Sequence, residues 1–107
     1  MTEEKATQTA RLWDTYKQTG DSTTRNQLIS HYLPLADYAA RHIKKNLPDN
    51  VNYEDLTRYG VFGLIAAIQE FDPSRATKFE TYASIRIQGA IVDGLLRDKL
   101  TQLDSEK

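Results

Sequence analysis

Apolar residues recur along this chain at three- and four-residue intervals, the spacing of helices with one buried side, and no stretch alternates with the period of a strand. Leu12, Trp13 and Tyr16 set a first helix over about Ala6–Gln18. Gly20-Asp21-Ser22 then supplies a stop and a cap for a second, which runs from about Ser22 to Tyr32. Pro34 kinks or restarts that helix. It leads into a segment with Leu35, Tyr38, Ala39 and Ile43 on one face, ending near Asn46-Leu47-Pro48. Asn52 is a cap for a helix reaching Gln69, Phe71-Asp72-Pro73-Ser74 breaks the pattern, and a last helix runs from about Lys78 to near Leu100. The pattern predicts an all-α fold, a compact helical bundle of about four to five helices. The bundle is expected over residues 10–100, between flexible polar tails at 1–9 and 101–107.

Two of these helices carry more than a core face. At about 100° per residue, Val61, Leu64 and Ile68 share the side expected to be buried. Gly60, Gly63 and Ala67 form a small-residue stripe that would let another helix approach closely. Each glycine costs about 1 kcal/mol of helix propensity relative to alanine, so a packing reason is expected. The remaining side presents Asp55, Arg58 and Tyr59. In the last helix Phe79, Ala83, Ile87, Ala90 and Ile91 form a core stripe, while Tyr82, Ile85, Val92 and Leu96 gather with Gly89 on the far side. That second stripe needs a cover, either another helix of the same domain or a partner. Arg75, Lys78 and Arg86 border it, setting cations beside an exposed aromatic. This combination suits single-stranded nucleic acid, whose bases stack on rings while its phosphates meet cations. Gly89 would let a backbone come close, since no side chain stands in the way.

Charge narrows the options. Fourteen Lys and Arg stand against 15 Asp and Glu, for a net charge of −1 over 107 residues. That argues against coating of duplex DNA through a general basic surface, because non-specific affinity depends on neutralising many phosphates. Any nucleic-acid contact must be weak or assisted. The chain has no cysteine, hence no disulfide framework or thiolate metal site. Its longest apolar run is far short of a membrane span, and Met1–Thr9 lacks a signal-peptide core, so a cytoplasmic protein is expected. His31 and His42, on different helical segments, read as surface histidines. The carboxylates lack a flanking catalytic pair, and Gly60-Val61-Phe62-Gly63 lies within a helix whose amides are already bonded. Neither an enzyme nor a bound cofactor is expected.

The order Asp55-Leu56, Gly60-Val61-Phe62-Gly63-Leu64, Phe71-Asp72, Lys78-Phe79-Glu80-Thr81-Tyr82-Ala83, Arg86-Ile87-Gln88-Gly89-Ala90 and Asp93 resembles the second conserved region of bacterial sigma factors of the motility and sporulation type (FliA/WhiG-like). Ile85-Arg86 stands where housekeeping sigma factors have a tryptophan pair, and Thr77 where they have an aromatic. Gln88 departs from the arginine typical of the motility branch. The resemblance implies docking on core RNA polymerase, at a coiled coil of its largest subunits, by Asp55, Arg58, Tyr59 and Ile65. It also implies recognition and melting of the promoter −10 element. Tyr82 would receive a base flipped from the non-template strand, Arg75, Lys78 and Arg86 would hold that strand, and Thr81, Ile85, Gln88 and Gly89 would line the path of the upstream base pairs. Phe79 is read as core support. Downstream sigma regions are not expected in this chain. The alternative is a sigma-like interaction module bound by an anti-sigma factor, without promoter opening by this chain.

Overall fold

Four helices make up the computed structural model, which describes the backbone over residues 2–105 and side-chain surroundings over residues 7–99. They are α1 (Thr2–Thr19), α2 (Ser22–Lys44), α3 (Tyr53–Glu70) and α4 (Phe79–Ser105). No strand occurs among the described residues, and none of their helices is long and apolar enough to cross a membrane. Helical backbone continues through the polar stretches 2–9 and 101–105, because extending a formed helix only propagates it, without a new nucleus.

Local chemistry sets the joints. Gly20, at φ 65°, adopts the left-handed conformation that ends α1, and its N–H donates to the Tyr16 carbonyl at 2.7 Å. Asp21 then caps α2 by accepting from the Thr24 N–H and hydroxyl, each at 3.2 Å. Asn52 caps α3, as its position suggests, by accepting from the Glu54 N–H at 2.8 Å.

α2 is one helix through Pro34, which neither ends nor restarts it. A proline inside a helix costs about 3 kcal/mol. Buried residues on both sides of it, Leu28 and Tyr32 before and Ala36, Ala39 and Ala40 after, lie on a single core-facing side that continuous helix keeps in register. This stripe also corrects the expectation for Tyr38, which lies about 130° from its centre at about 100° per residue. Its ring is exposed and stacks on the exposed His42 at 6.2 Å.

α3 is the central element, packed on α4 and α2. Leu56, Leu64, Ala67 and Ile68 are fully buried in it, with Val61 partly buried. The glycine stripe does what its composition predicts. A Cβ added at Gly63 would meet the Ala90 Cβ at 2.8 Å, the Arg86 carbonyl at 2.9 Å and the Ile87 Cα at 2.9 Å, so α4 comes within backbone contact of α3 there. Phe79, Ala83, Ile87 and Ile91 face this junction and are buried, while Ala90 is half-buried. α1 adds one large anchor. The Trp13 ring lies 5.0 Å from Phe79 and 5.5 Å from Phe71, and its indole N–H donates to the Tyr32 hydroxyl at 3.2 Å, satisfying a buried donor.

Candidate functional site

Two surfaces gather the chemistry, one on α3 and one on α4. On α3, Asp55 and Ile65 are half-buried and Arg58 is exposed, with Arg58 paired to Asp55 at 3.0 Å. Tyr59 departs from the expected exposed side: it is 8% exposed. The cause is Gly94 on α4, where an added Cβ would come within 2.4 Å of the Tyr59 Cγ. The ring fills the space a larger residue would deny it, and its hydroxyl donates to the Asp98 carboxylate. Its place on the outer face belongs to Phe62, which is 62% exposed and which side-chain reading of the sequence missed. The signal was present: at about 100° per residue, Phe62 falls between Arg58 and Asp55 on the wheel and close to Ile65. Asp55, Arg58, Phe62 and Ile65 therefore form one face, an apolar ring flanked by an ion pair.

On α4 the second apolar stripe is solvent-facing. Ile85 is 70%, Val92 47% and Leu96 55% exposed, and nothing lies within 4 Å of a Cβ built on Gly89. Lys78, Thr81 and Gln88 are exposed on or beside the same side of the helix, and Arg75 is exposed in the turn that precedes it. That turn is shaped by Asp72, which accepts from the Ser74 hydroxyl at 2.7 Å and N–H at 3.0 Å. These bonds hold the Asp72 carboxyl below the usual carboxylate range.

Tyr82 is half-buried rather than free. Its ring leans on Phe71, with centroids 5.4 Å apart, because the turn brings the end of α3 against the first turn of α4. The Arg86 guanidinium covers another part of the ring, 5.9 Å from its centroid, and forms an ion pair with Glu70. A hydrogen bond from Arg86 to that carboxylate pushes the guanidinium further above its ordinary range, so Arg86 is a permanent cation. A planar aromatic held from behind, with apolar residues along one side and cations at its border, can accept a stacked base and the phosphates next to it. The sequence-predicted strand-facing residues thus come together on α4 and its preceding turn, with Arg86 on the border toward α3. The two surfaces meet in a groove lined by Phe62, Gly63 and Ala66 of α3 and Ile85, Gly89 and Ala90 of α4. His31 and His42 are exposed, and no cluster of metal-binding side chains occurs among the described residues.

The family model for sigma-70 region 2 matches residues 28–101. The RNA polymerase sigma-D factor of Bacillus subtilis (strain 168) is 43% identical over 97 residues, which cover 90% of this chain and 38% of that protein. The RNA polymerase sigma factor FliA of Pseudomonas aeruginosa is 40% identical over 78 residues, 73% of this chain and 32% of that protein. Among solved structures, a Sigma-28(FliA)/FlgM complex superposes with a TM-score of 0.62 at 45% identity, over 66% of this chain and 31% of the matched one. A cocrystal structure of the flagellar sigma/anti-sigma complex Sigma-28/FlgM gives 0.61 at 38% identity, over 76% of this chain and 38% of the matched one. The chain spans about a third of the length of these curated relatives.

Proposed function

The chain belongs to the sigma-70 region 2 family, and on that premise we propose that it docks on core RNA polymerase through α3 and takes the non-template strand of the promoter −10 element on α4. The observation that carries the reading is the Tyr82 ring, braced by Phe71 and bordered by Arg86, at the head of a solvent-facing apolar stripe. Extruding a base costs a few kcal/mol, and stacking on an aromatic returns about 1–3 kcal/mol per base. One ring nearly balances one flip. The bracing matters because a ring already held in place loses little further freedom when a base arrives. Arg75, Lys78 and Arg86 then meet the phosphates, while Thr81, Ile85, Gln88 and Gly89 face the adjoining path.

A net charge of −1 leaves this contact weak on its own. Polymerase supplies the missing affinity by holding the chain at the promoter, through the Asp55, Arg58, Phe62 and Ile65 face, at high effective concentration. Phe62 replaces Tyr59 as the aromatic of that face. In this role the chain is an initiation factor with no chemistry of its own, acting in the cytoplasm where polymerase works.

A second reading is favoured by one observation. Two solved relatives are complexes with FlgM, an anti-sigma factor, and the exposed Phe62, Ile85, Val92 and Leu96 offer an apolar surface for such a partner. One experiment separates the two. Labelled single-stranded −10 oligonucleotide is mixed with the chain, with and without core polymerase, and its anisotropy is followed. A rise that core polymerase strengthens supports promoter engagement. No rise in either case, with retained binding of a FlgM-type antagonist, supports the interaction module instead.

A further inference from the structure

Glu70 and Arg86 link the end of α3 to the strand-facing side of α4. One guanidinium nitrogen of Arg86 pairs with the Glu70 carboxylate and also donates to the Tyr82 hydroxyl at 3.4 Å. The next residue, Phe71, braces the Tyr82 ring. Glu70, the last residue of α3, and Phe71, which follows it, thus hold both the cation and the ring that the strand would use. The Glu70 and Arg86 side chains are 54% and 39% exposed, so water and other anions reach the pair.

We propose that Glu70 is an intramolecular competitor for the nucleic-acid phosphate at Arg86. In the free chain its carboxylate parks the guanidinium over Tyr82, and an arriving phosphate takes the carboxylate's place and swings the cation onto the strand. Glu70 is then a positioning residue that sets strand affinity and its salt dependence by acting through Arg86. The inference rests on the strand-binding reading of α4. Its energetics are permissive. Exposed ion pairs are weak enough that displacing one costs at most about fivefold in affinity. A phosphate offers the same fork geometry with more acceptor oxygens. Salt weakens the internal pair together with the phosphate contact, so the competitor also flattens the fall of affinity with salt.

The test uses the whole chain as parent, Glu70→Gln, Arg86→Gln and the double variant, with a labelled random-sequence single strand of about 12 nucleotides at low ionic strength. Glu70→Gln should tighten binding about two- to fivefold and steepen the salt dependence. Arg86→Gln should weaken it, and Glu70→Gln should bring almost no gain when Arg86 is already gone. Melting temperatures of all four should stay together, which excludes a merely structural effect. An equal gain in both backgrounds would reduce Glu70 to bulk negative charge and overturn the proposal, as would no gain at all. A Tyr82→Ala arm separates the premise: if that variant binds as the parent does, the strand-binding reading itself has failed. If Tyr82→Ala is impaired while Glu70→Gln is silent, the competitor alone is wrong.

Discussion

The ring of Tyr59 occupies the space beside Gly94, so close that a Cβ on Gly94 would lie 2.4 Å from the ring. Gly94→Ala should therefore destabilise by about 1–2 kcal/mol, the cost of overpacking outweighing the gain in helix propensity. Gly89→Ala, where an added Cβ meets nothing within 4 Å, should raise stability by up to about 1 kcal/mol. Thermal unfolding of the two variants distinguishes them. Equal effects would mean that α4 does not approach α3 as described.

That relationship also marks where sequence reading stops. The caps at Asp21 and Asn52, the Gly60-Gly63-Ala67 stripe and the two stripes of α4 are local patterns, and they were legible because a helix repeats its faces at fixed spacing. Tyr59 sits at the edge of its wheel, and only a glycine thirty-five positions away decides that it turns inward. Phe62 is exposed for the converse reason, since among the described residues only α3 and α4 line the groove beside it. Pro34 stays helical because packing on both its sides outweighs its intrinsic penalty, a balance no window of sequence contains.

Exchanging the charges of the α3 face should leave the fold intact and remove docking. Asp55→Arg with Arg58→Asp keeps the internal pair while inverting what a partner meets. Phe62→Ala removes an exposed ring, and a central aromatic contact is worth about 2 kcal/mol or more in binding. Pull-down on the polymerase coiled coil should lose both variants, at melting temperatures close to the parent's. Undiminished binding by both would assign docking to another surface.

The far stripe of α4 separates surface from core within one helix. Ile85→Gln should change stability by no more than about 0.5 kcal/mol, whereas Ile87→Gln, two residues on and fully buried, should cost several kcal/mol. Denaturant unfolding reads both directly. A large loss at Ile85 would return the stripe to the protein interior.

Stability should fall in alkali partly through Tyr32. Burial is the main cause that pushes its phenol above its ordinary value, opposed by the hydrogen bond from Trp13 and reinforced by Glu80. The folded state thus holds this proton more tightly than the unfolded chain. Its contribution is complete below about pH 10, the unfolded value, and is lost as pH rises from there through the folded value. Tyr32→Phe should lower stability at neutral pH by removing the Trp13 contact, yet flatten the alkaline decline. An unchanged alkaline slope in Tyr32→Phe would locate that titration elsewhere.

Strand binding by Tyr82 variants tests the central claim most directly. Affinity for single-stranded −10 DNA is measured for the parent, Tyr82→Phe and Tyr82→Ala, alongside binding to core polymerase. Removing the ring should cost about 1–3 kcal/mol, roughly five- to a hundredfold, and removing only the hydroxyl far less. Both variants should hold polymerase as the parent does, since that face is on α3. The Tyr82→Ala defect should shrink on a promoter already opened by a mismatched bubble, where no base has to be unpaired. If Tyr82→Ala binds the strand as tightly as the parent, or loses polymerase to the same degree, Tyr82 is a structural residue and α4 does not open promoters in the way described.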